Sequence, residues 1–186
     1  ISAKQIMGFF INAIHPLMHE ISNSSFYFAE NIKRDESGLS FQVQDVVFNM
    51  PILGEFNIYN ALAAITTVDY YGVSLQVCKH ALEKVRSIPG RLEIVAKDPF
   101  WVVVDYAHTP EQLEQAYKSL SKNHKSDILN RKLICVLGSC GGGRDKWKRP
   151  VLGKIAGQYC KEIIITDEDP YDENPLEIIN QVASGI

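Results

Sequence analysis

The spacing of apolar residues along this chain shifts from one period to another, and the shifts divide it into elements. Residues 1–22, ISAKQIMGFFINAIHPLMHEIS, carry apolar patches at roughly helical spacing, which predicts a helix with Pro16 kinking or ending a turn. FYFAENIK and LSFQVQDVVFNM alternate apolar and polar positions, which predicts two strands with DESG as the turn between them. After Pro51 the pattern becomes helical again. FNIYNALAAITTVDYYG reads as a helix with Gly72 as its C-terminal cap, and SLQVCKHALEKV as a second helix with Ser74 as its N-cap.

SIPG, at 87–90, puts a proline and a glycine between a helix and a strand, the punctuation of a domain boundary. Beyond it the periods alternate. Strands RLEIVA, FWVVVD, KLICVLG and EIIITD are interleaved with helices TPEQLEQAYKSLSK, RPVLGKIAGQYC and NPLEIINQVASG. Nearly continuous β-branched strands alternating with helices predict an α/β fold with a parallel sheet covered on both faces. Ligands of such sheets bind at the carboxyl ends of the strands. The residues of chemical interest fall there: Asp105 to His108, the glycine loop after KLICVLG, and Asp167 to Tyr171. The division predicted is 1–88 and 89–186.

Composition narrows the function classes. The chain has 186 residues, 46% hydrophobic and 22% charged, the balance of a globular protein, and its formal charge of −3 argues against a general nucleic-acid binder. His15, Pro16, His19 and Glu20 interrupt the apolar start, so no membrane span and no signal-peptide layout is predicted. Cys78, Cys135, Cys140 and Cys160 form no CxxC pair and no zinc spacing. Cys78 and Cys160 fall in helical patterns and Cys135 in a strand, so reduced thiols and a cytoplasmic location are expected; Cys140, in the glycine loop, is a weak candidate for reactivity. The start lacks Met and the end looks like an unfinished helix, so a piece of a longer protein is expected.

Chemistry concentrates in a few segments. LGSCGGGRDKWKRP, Leu137 to Pro150, follows a strand and leads into a helix. Its Gly138-to-Gly143 spacing suits a phosphate loop, but Arg144-Asp145 stands where Lys-Ser/Thr is required. Its GxxGxG order is not the dinucleotide fingerprint. Turn N–H groups with Arg144 make an anion site for phosphate or carboxylate, and the forked guanidinium suits a carboxylate; the simpler alternative is a solvated basic turn. In DYAHTPEQL, Thr109 can cap a helix that Pro110 opens. Asp105 and His108 there either satisfy turn donors or serve a nucleotide, the carboxylate on ribose hydroxyls and the imidazole beside it. In GEFNIYNALAA, Asn57 and Asn60 share a helical face. Asparagine is a mediocre helix former and its amide can pair with an adenine edge, whereas N-capping is the plainer role for Asn57. TDEDPYDENP crowds Asp167, Glu168, Asp169, Asp172 and Glu173 together, either as a solvated loop or to recognise a cationic group such as an amine.

Taken together, GEFNIYNALAAI, SIPGRLEIV, VVVDYAHTPEQL and LGSCGGGRDKWKRPVLGKIA resemble the Mur ligases, the ATP-dependent amino-acid ligases of peptidoglycan precursor synthesis. Within them the likeness is strongest to the UDP-N-acetylmuramoyl-tripeptide synthetases, which add the third stem-peptide residue. The resemblance covers about residues 30–180. It implies the end of a central ATPase domain followed by a truncated, Rossmann-like parallel-sheet C-terminal domain. It implies ATP as cosubstrate, with Asn57 at the adenine, Asn60 beside it, and Arg91 and Asp105 at the nucleotide. His108, the candidate catalytic residue, would be adjacent. Arg144 would hold the carboxylate of the incoming amino acid, with Lys148 and Arg149 in the same motif.

Two departures qualify it. Members that take meso-diaminopimelate carry DNPR where this chain has Glu168, Asp169, Pro170 and Tyr171. The arginine for a distal carboxylate is missing, so the acidic loop with Tyr171 is expected to favour a diamine such as lysine or ornithine. The chain also lacks a Walker A sequence. The family's Mg2+ ligands and its UDP-sugar domain are likewise expected elsewhere, and this chain alone is not expected to ligate. The alternatives are another Mur-type amide ligase with a different acceptor and a non-catalytic nucleotide-binding module.

Overall fold

A computed structural model of the protein describes residues 8–11, 26–122 and 133–186. It resolves into two compact units, 1–104 and 105–186.

The first unit contains strands β1 (Gly8–Ile11), β2 (Phe26–Asp35), β3 (Gly38–Val43) and β4 (Val46–Met50), then helices α1 (Phe56–Asp69) and α2 (Leu75–Leu82), then strands β5 (Glu93–Ala96) and β6 (Val102–Val104). The first four strands form one sheet in chain order, β1 parallel to β2 and the rest antiparallel. The helix expected over 1–22 is corrected where the chain is described: Gly8–Ile11 is a strand in register with Phe26–Ala29. Gly-Phe-Phe-Ile is aromatic and β-branched, and pairing with a neighbouring strand outweighs a weak helical period. Pro16 and the rest of that stretch lie outside the described residues.

LSFQVQDVVFNM is also corrected, from one strand to a hairpin. Gln44, at φ 53, starts the two-residue loop between β3 and β4. The loop, Gln44-Asp45, lacks the glycine or asparagine that most strongly marks a two-residue hairpin turn. The hairpin stacks Phe41 on Phe48 across the ladder, with ring centroids 5.2 Å apart. Against this sheet α1 lays Ile58, Ala61, Leu62 and Ile65, the stripe that a 3.6-residue period produces, and α2 adds Cys78. Gly72, at φ 78, sits just past α1 as expected. Ser74 occupies the N-cap position of α2 with extended backbone, but its side chain makes no capping bond.

β5 and β6 pair antiparallel, Glu93 opposite Val104. This departs from the parallel arrangement expected after SIPG. The connection at 97–101 is too short for the crossover that parallel strands need, roughly a dozen residues or more. The boundary predicted at 88/89 falls between α2 and β5, whereas the compact units part at 104/105.

The second unit contains α3 (Pro110–Lys122), β7 (Ile134–Leu137), α4 (Lys148–Tyr159), β8 (Glu162–Ile165) and α5 (Pro175–Ala183). β7 and β8 are parallel, joined through α4 in a βαβ unit, with Ile134 opposite Glu162 and Leu137 opposite Ile165. Leu113 and Tyr117 of α3, Leu152 and Ala156 of α4 and Val182 of α5 form a core with Cys135 and Leu137 of β7. Ile163 and Ile165 of β8 pack against it. Among the described residues, Ile134, Val136 and Ile164 on the opposite face of this strand pair are exposed. Cys160, expected within a helix, is instead the extended residue that ends α4. All four cysteines are free thiols.

Two helices are capped by their own side chains. Thr109 Oγ1 accepts from the Gln112 N–H at 3.3 Å, and Asn174 Oδ1 from the Leu176 N–H at 2.9 Å, with Pro110 and Pro175 opening the helices. α4 begins at Lys148, two residues before the Pro150 expected to open it.

α4 and α5 approach so closely that a Cβ on Gly153 would overlap the Val182 carbonyl. Gly153→Ala therefore opposes two effects. Helix propensity favours alanine by about 1 kcal/mol, and the backbone overlap costs roughly 1–3 kcal/mol. The expected outcome is a lower urea midpoint for the variant; a higher midpoint would show that the helices separate freely.

Candidate active site

Because β7 and β8 are adjacent and parallel, the loops leaving their carboxyl ends lie side by side. One is the glycine loop leading to α4, the other the acidic loop leading to α5. They are packed backbone to backbone. The Gly141 N–H donates to the Asp169 carbonyl at 3.1 Å, and a Cβ on Gly141 would overlap the Pro170 carbonyl. A Cβ on Gly142, at φ 64, would come within 2.7 Å of the Tyr171 ring, and one on Gly138 within 2.8 Å of Glu168 Cβ. Glycine is thus required here by the other loop, not only by a turn.

The contact brings together residues that the chain separates by more than twenty positions. Glu168, Asp169 and Arg144 all lie close enough to the Cys140 thiol to act on it electrostatically. Burial pushes that thiol above its ordinary value; Glu168 and Asp169 push the same way and Arg144 opposes them. A thiolate is therefore disfavoured at Cys140, which places a reactive role there at a disadvantage. Asp169 and Tyr171 both hold positive φ, 39 and 54, a conformation that non-glycine residues adopt at a cost. Tyr171 and Arg144 are exposed and Glu168 is half-buried.

Arg149 proves to be the buried centre of this end of the unit. Its side chain is 0% exposed. Nη1 donates to Glu173 Oε2 at 3.0 Å and to Gln181 Oε1 at 2.7 Å; Nη2 donates to Glu173 Oε1 at 3.2 Å and to the Cys140 carbonyl at 3.0 Å. Lys146 reaches the same carboxylate at 2.9 Å. Hydrogen bonds from Arg149 and Lys146 hold the Glu173 carboxyl down at about 2. Sequence reasoning left the role of Arg149 open and placed Glu173 only in an acidic crowd. A signal was present: Arg149 lies on the same helical face as Leu152, Gly153 and Ala156, all buried. Lys148 opens α4, half-buried.

At the start of the unit, Asp105 Oδ1 accepts from the Ala107 N–H at 2.8 Å, forming the turn that the plainer reading allowed. His108 Nδ1 lies 3.1 Å from the Tyr106 carbonyl, and the two rings are 5.1 Å apart. A nitrogen facing a carbonyl must donate, so Nε2 carries the lone pair of the neutral ring. In the first unit, Asn57 is buried rather than presented. Its Nδ2 donates to the Leu53 carbonyl at 2.7 Å and its Oδ1 accepts from Asn60 Nδ2 at 3.0 Å. Glu55, not Asn57, holds the N-cap position of α1. The exposed partner of the amide pair is Asn60. Arg91 is exposed at the turn into β5, its N–H on the Ile88 carbonyl at 3.0 Å. Among the described residues no group of three or more His, Cys, Asp or Glu could hold a metal ion, and no helix is long and apolar enough to cross a membrane.

Comparison with known proteins bears on this arrangement. The family model for the Mur ligase middle domain matches residues 4–68, and that for the Mur ligase glutamate ligase domain matches 90–185. The UDP-N-acetylmuramoyl-L-alanyl-D-glutamate–2,6-diaminopimelate ligase of Halalkalibacterium halodurans is 36% identical over 170 residues, covering 89% of this chain and 34% of that protein. The UDP-N-acetylmuramyl-tripeptide synthetase of Roseiflexus is 40% identical over 162 residues, covering 84% and 31%. A solved diaminopimelate ligase of the same description aligns with TM-score 0.53 at 30% identity, over 88% of this chain and 35% of that one. MurF of Acinetobacter baumannii, at 22% identity, shares the fold with TM-score 0.68 over 88% and 36%. The chain spans about a third of the length of the curated relatives it matches. The chain belongs to the Mur ligase family, of which it carries part of the middle domain and the glutamate ligase domain.

Proposed function

We propose that the whole protein is an ATP-dependent amide ligase that adds the third stem-peptide residue to a UDP-N-acetylmuramoyl dipeptide in the cytoplasm. The observation that carries this reading is the seating of the Arg144 glycine loop against the Glu168–Asp169 loop at adjacent strand ends. It occurs in a chain whose relatives are named for that reaction. ATP would phosphorylate the carboxylate of the dipeptide, giving an acyl phosphate and ADP. The amine of the incoming amino acid would attack the acyl carbon, forming the C–N bond as the C–O bond to phosphate breaks. Such chemistry depends on positioning and charge neutralisation.

Within it, Arg144 would fork onto the α-carboxylate of the amino acid. Asn60, Arg91, Asp105 and His108 would serve the nucleotide, with Asn57 holding Asn60 in place. Lys148 would contribute positive charge near the amino-acid site. The phosphate loop and Mg2+ ligands would come from the remainder of the protein. Residues around the linker near Pro89-Gly90 would flex as domains close.

Several relatives are named for diaminopimelate. This chain places Tyr171, not arginine, beside two carboxylates. We infer that the acceptor is a diamine without a second carboxylate, its distal ammonium facing Glu168 and Asp169 with the Tyr171 ring beside it.

Phosphate release by the full-length protein with ATP, magnesium, the UDP-linked dipeptide and an amino-acid panel tests both statements. Release with lysine or ornithine well above that with diaminopimelate is expected. Preference for diaminopimelate would overturn the acceptor, and no release with any amino acid would overturn the ligase. Arg144→Met is expected to raise the amino-acid KM by about 10- to 100-fold, the loss of one charge-assisted contact, with little change in the KM for ATP. Tyr171→Arg is expected to shift the preference towards diaminopimelate.

A further inference from the structure

We propose that Arg149 is a positioning residue for the incoming amino acid: from inside α4 it fixes the separation between the Arg144 loop and the Glu168–Asp169 loop. The proposal rests on the ligase reading for its functional half and on geometry for the rest.

The geometry is a closed circuit. Arg149 holds the Cys140 carbonyl at 3.0 Å. The next residue, Gly141, donates its N–H to the Asp169 carbonyl at 3.1 Å. The Glu173 N–H folds back on the Pro170 carbonyl at 3.0 Å. The Glu173 carboxylate then returns to Arg149 through both oxygens, at 3.0 and 3.2 Å. The circuit encloses both loops, and Gln181 anchors it to α5 at 2.7 Å. A helix needing only to pack here would be served as well by an apolar residue of similar volume, because desolvating a guanidinium costs several kcal/mol. What an apolar side chain cannot do is grip a loop carbonyl and a carboxylate at once. Lysine cannot either, since it lacks the planar fork. Arg149 itself is sealed from solvent, so it acts through the loops rather than on a substrate.

Both loops are otherwise weakly determined. The glycine loop has three glycines in a row, whose backbone freedom is large. The acidic loop is held at positive φ on both sides of Pro170, which persists only where surroundings enforce it. A clamp between them supplies the order that neither has by itself.

The test uses the full-length protein and two readouts. In Arg149→Lys, the amino-acid KM is expected to rise about tenfold or more, with the KM for ATP and for the dipeptide within about twofold. Amide-exchange protection at Gly141 is expected to fall by a similar factor. Unchanged amino-acid KM and unchanged protection, with only a lower melting temperature, would overturn the proposal and leave Arg149 a packing residue. If Arg149→Lys does not fold, Glu173→Gln, which keeps the shape and removes the charge, is read the same way. If the unmodified protein releases no phosphate with any amino acid, the ligase reading falls. The exchange readout then decides alone: faster exchange supports the clamp and unchanged exchange overturns it.

A pH series adds an independent arm. The folded-state Glu173 value of about 2 lies below the ordinary 4.5, so its stabilising contribution is complete above pH 4.5 and is lost as pH falls towards 2. Arg149 and Lys146 are the charges that face it. Gly141 protection in the unmodified protein is therefore expected to decline over that window, and to be flatter in Glu173→Gln. Equal declines would show that other carboxylates govern the loops.

Discussion

One positive charge with no access to water organises the second unit. The cost of desolvating Arg149 is offset only because Glu173 meets it with both oxygens and two neutral acceptors, Gln181 and the Cys140 carbonyl, complete the set. The compensation is not total: among the described residues, Nε has no hydrogen-bond partner, nor does the buried Ser139 hydroxyl in the glycine loop. Lys146 touches the same carboxylate but is 60% exposed, so its attraction is screened and small. The two cations on one acid thus have different weights: the buried one determines geometry, and the exposed one adjusts charge.

Glycines complement that ion pair by removing bulk where backbones must touch. Gly141 and Gly142 let the acidic loop lie on the glycine loop, and Gly153 and Gly185 let α5 lie on α4. The familiar association of glycine-rich turns with phosphate misleads here. These positions are small because another segment of protein occupies the space.

How much of this was legible depends on the range of the interaction. Helices α1 to α5 and the cap at Thr109 followed from local period and residue type, because those contacts span only a few residues. The turn at Gln44 was hidden, since the ladder that enforces it joins strands rather than neighbours. Gly8–Ile11 carried a helical rhythm that its pairing with β2 overrode. At the site, Arg144, Glu168 and Asp169 could be nominated from charge and motif, but their meeting at Cys140 needs two loops adjacent in space. Asn57 was nominated for a ligand, yet its amide is committed to the Leu53 carbonyl, a bond no spacing rule exposes. Arg149 was the largest miss, because a charged residue is by default assigned to the surface.

The left-handed backbone at Asp169 and Tyr171 has an evolutionary consequence. β-branched residues are penalised severely in that conformation, whereas glycine, asparagine and aspartate tolerate it. Mutational drift at these two codons is therefore steered away from β-branched residues. Unbranched side chains such as the tyrosine already present keep the loop's backbone, so the loop's chemistry can diverge without its path changing.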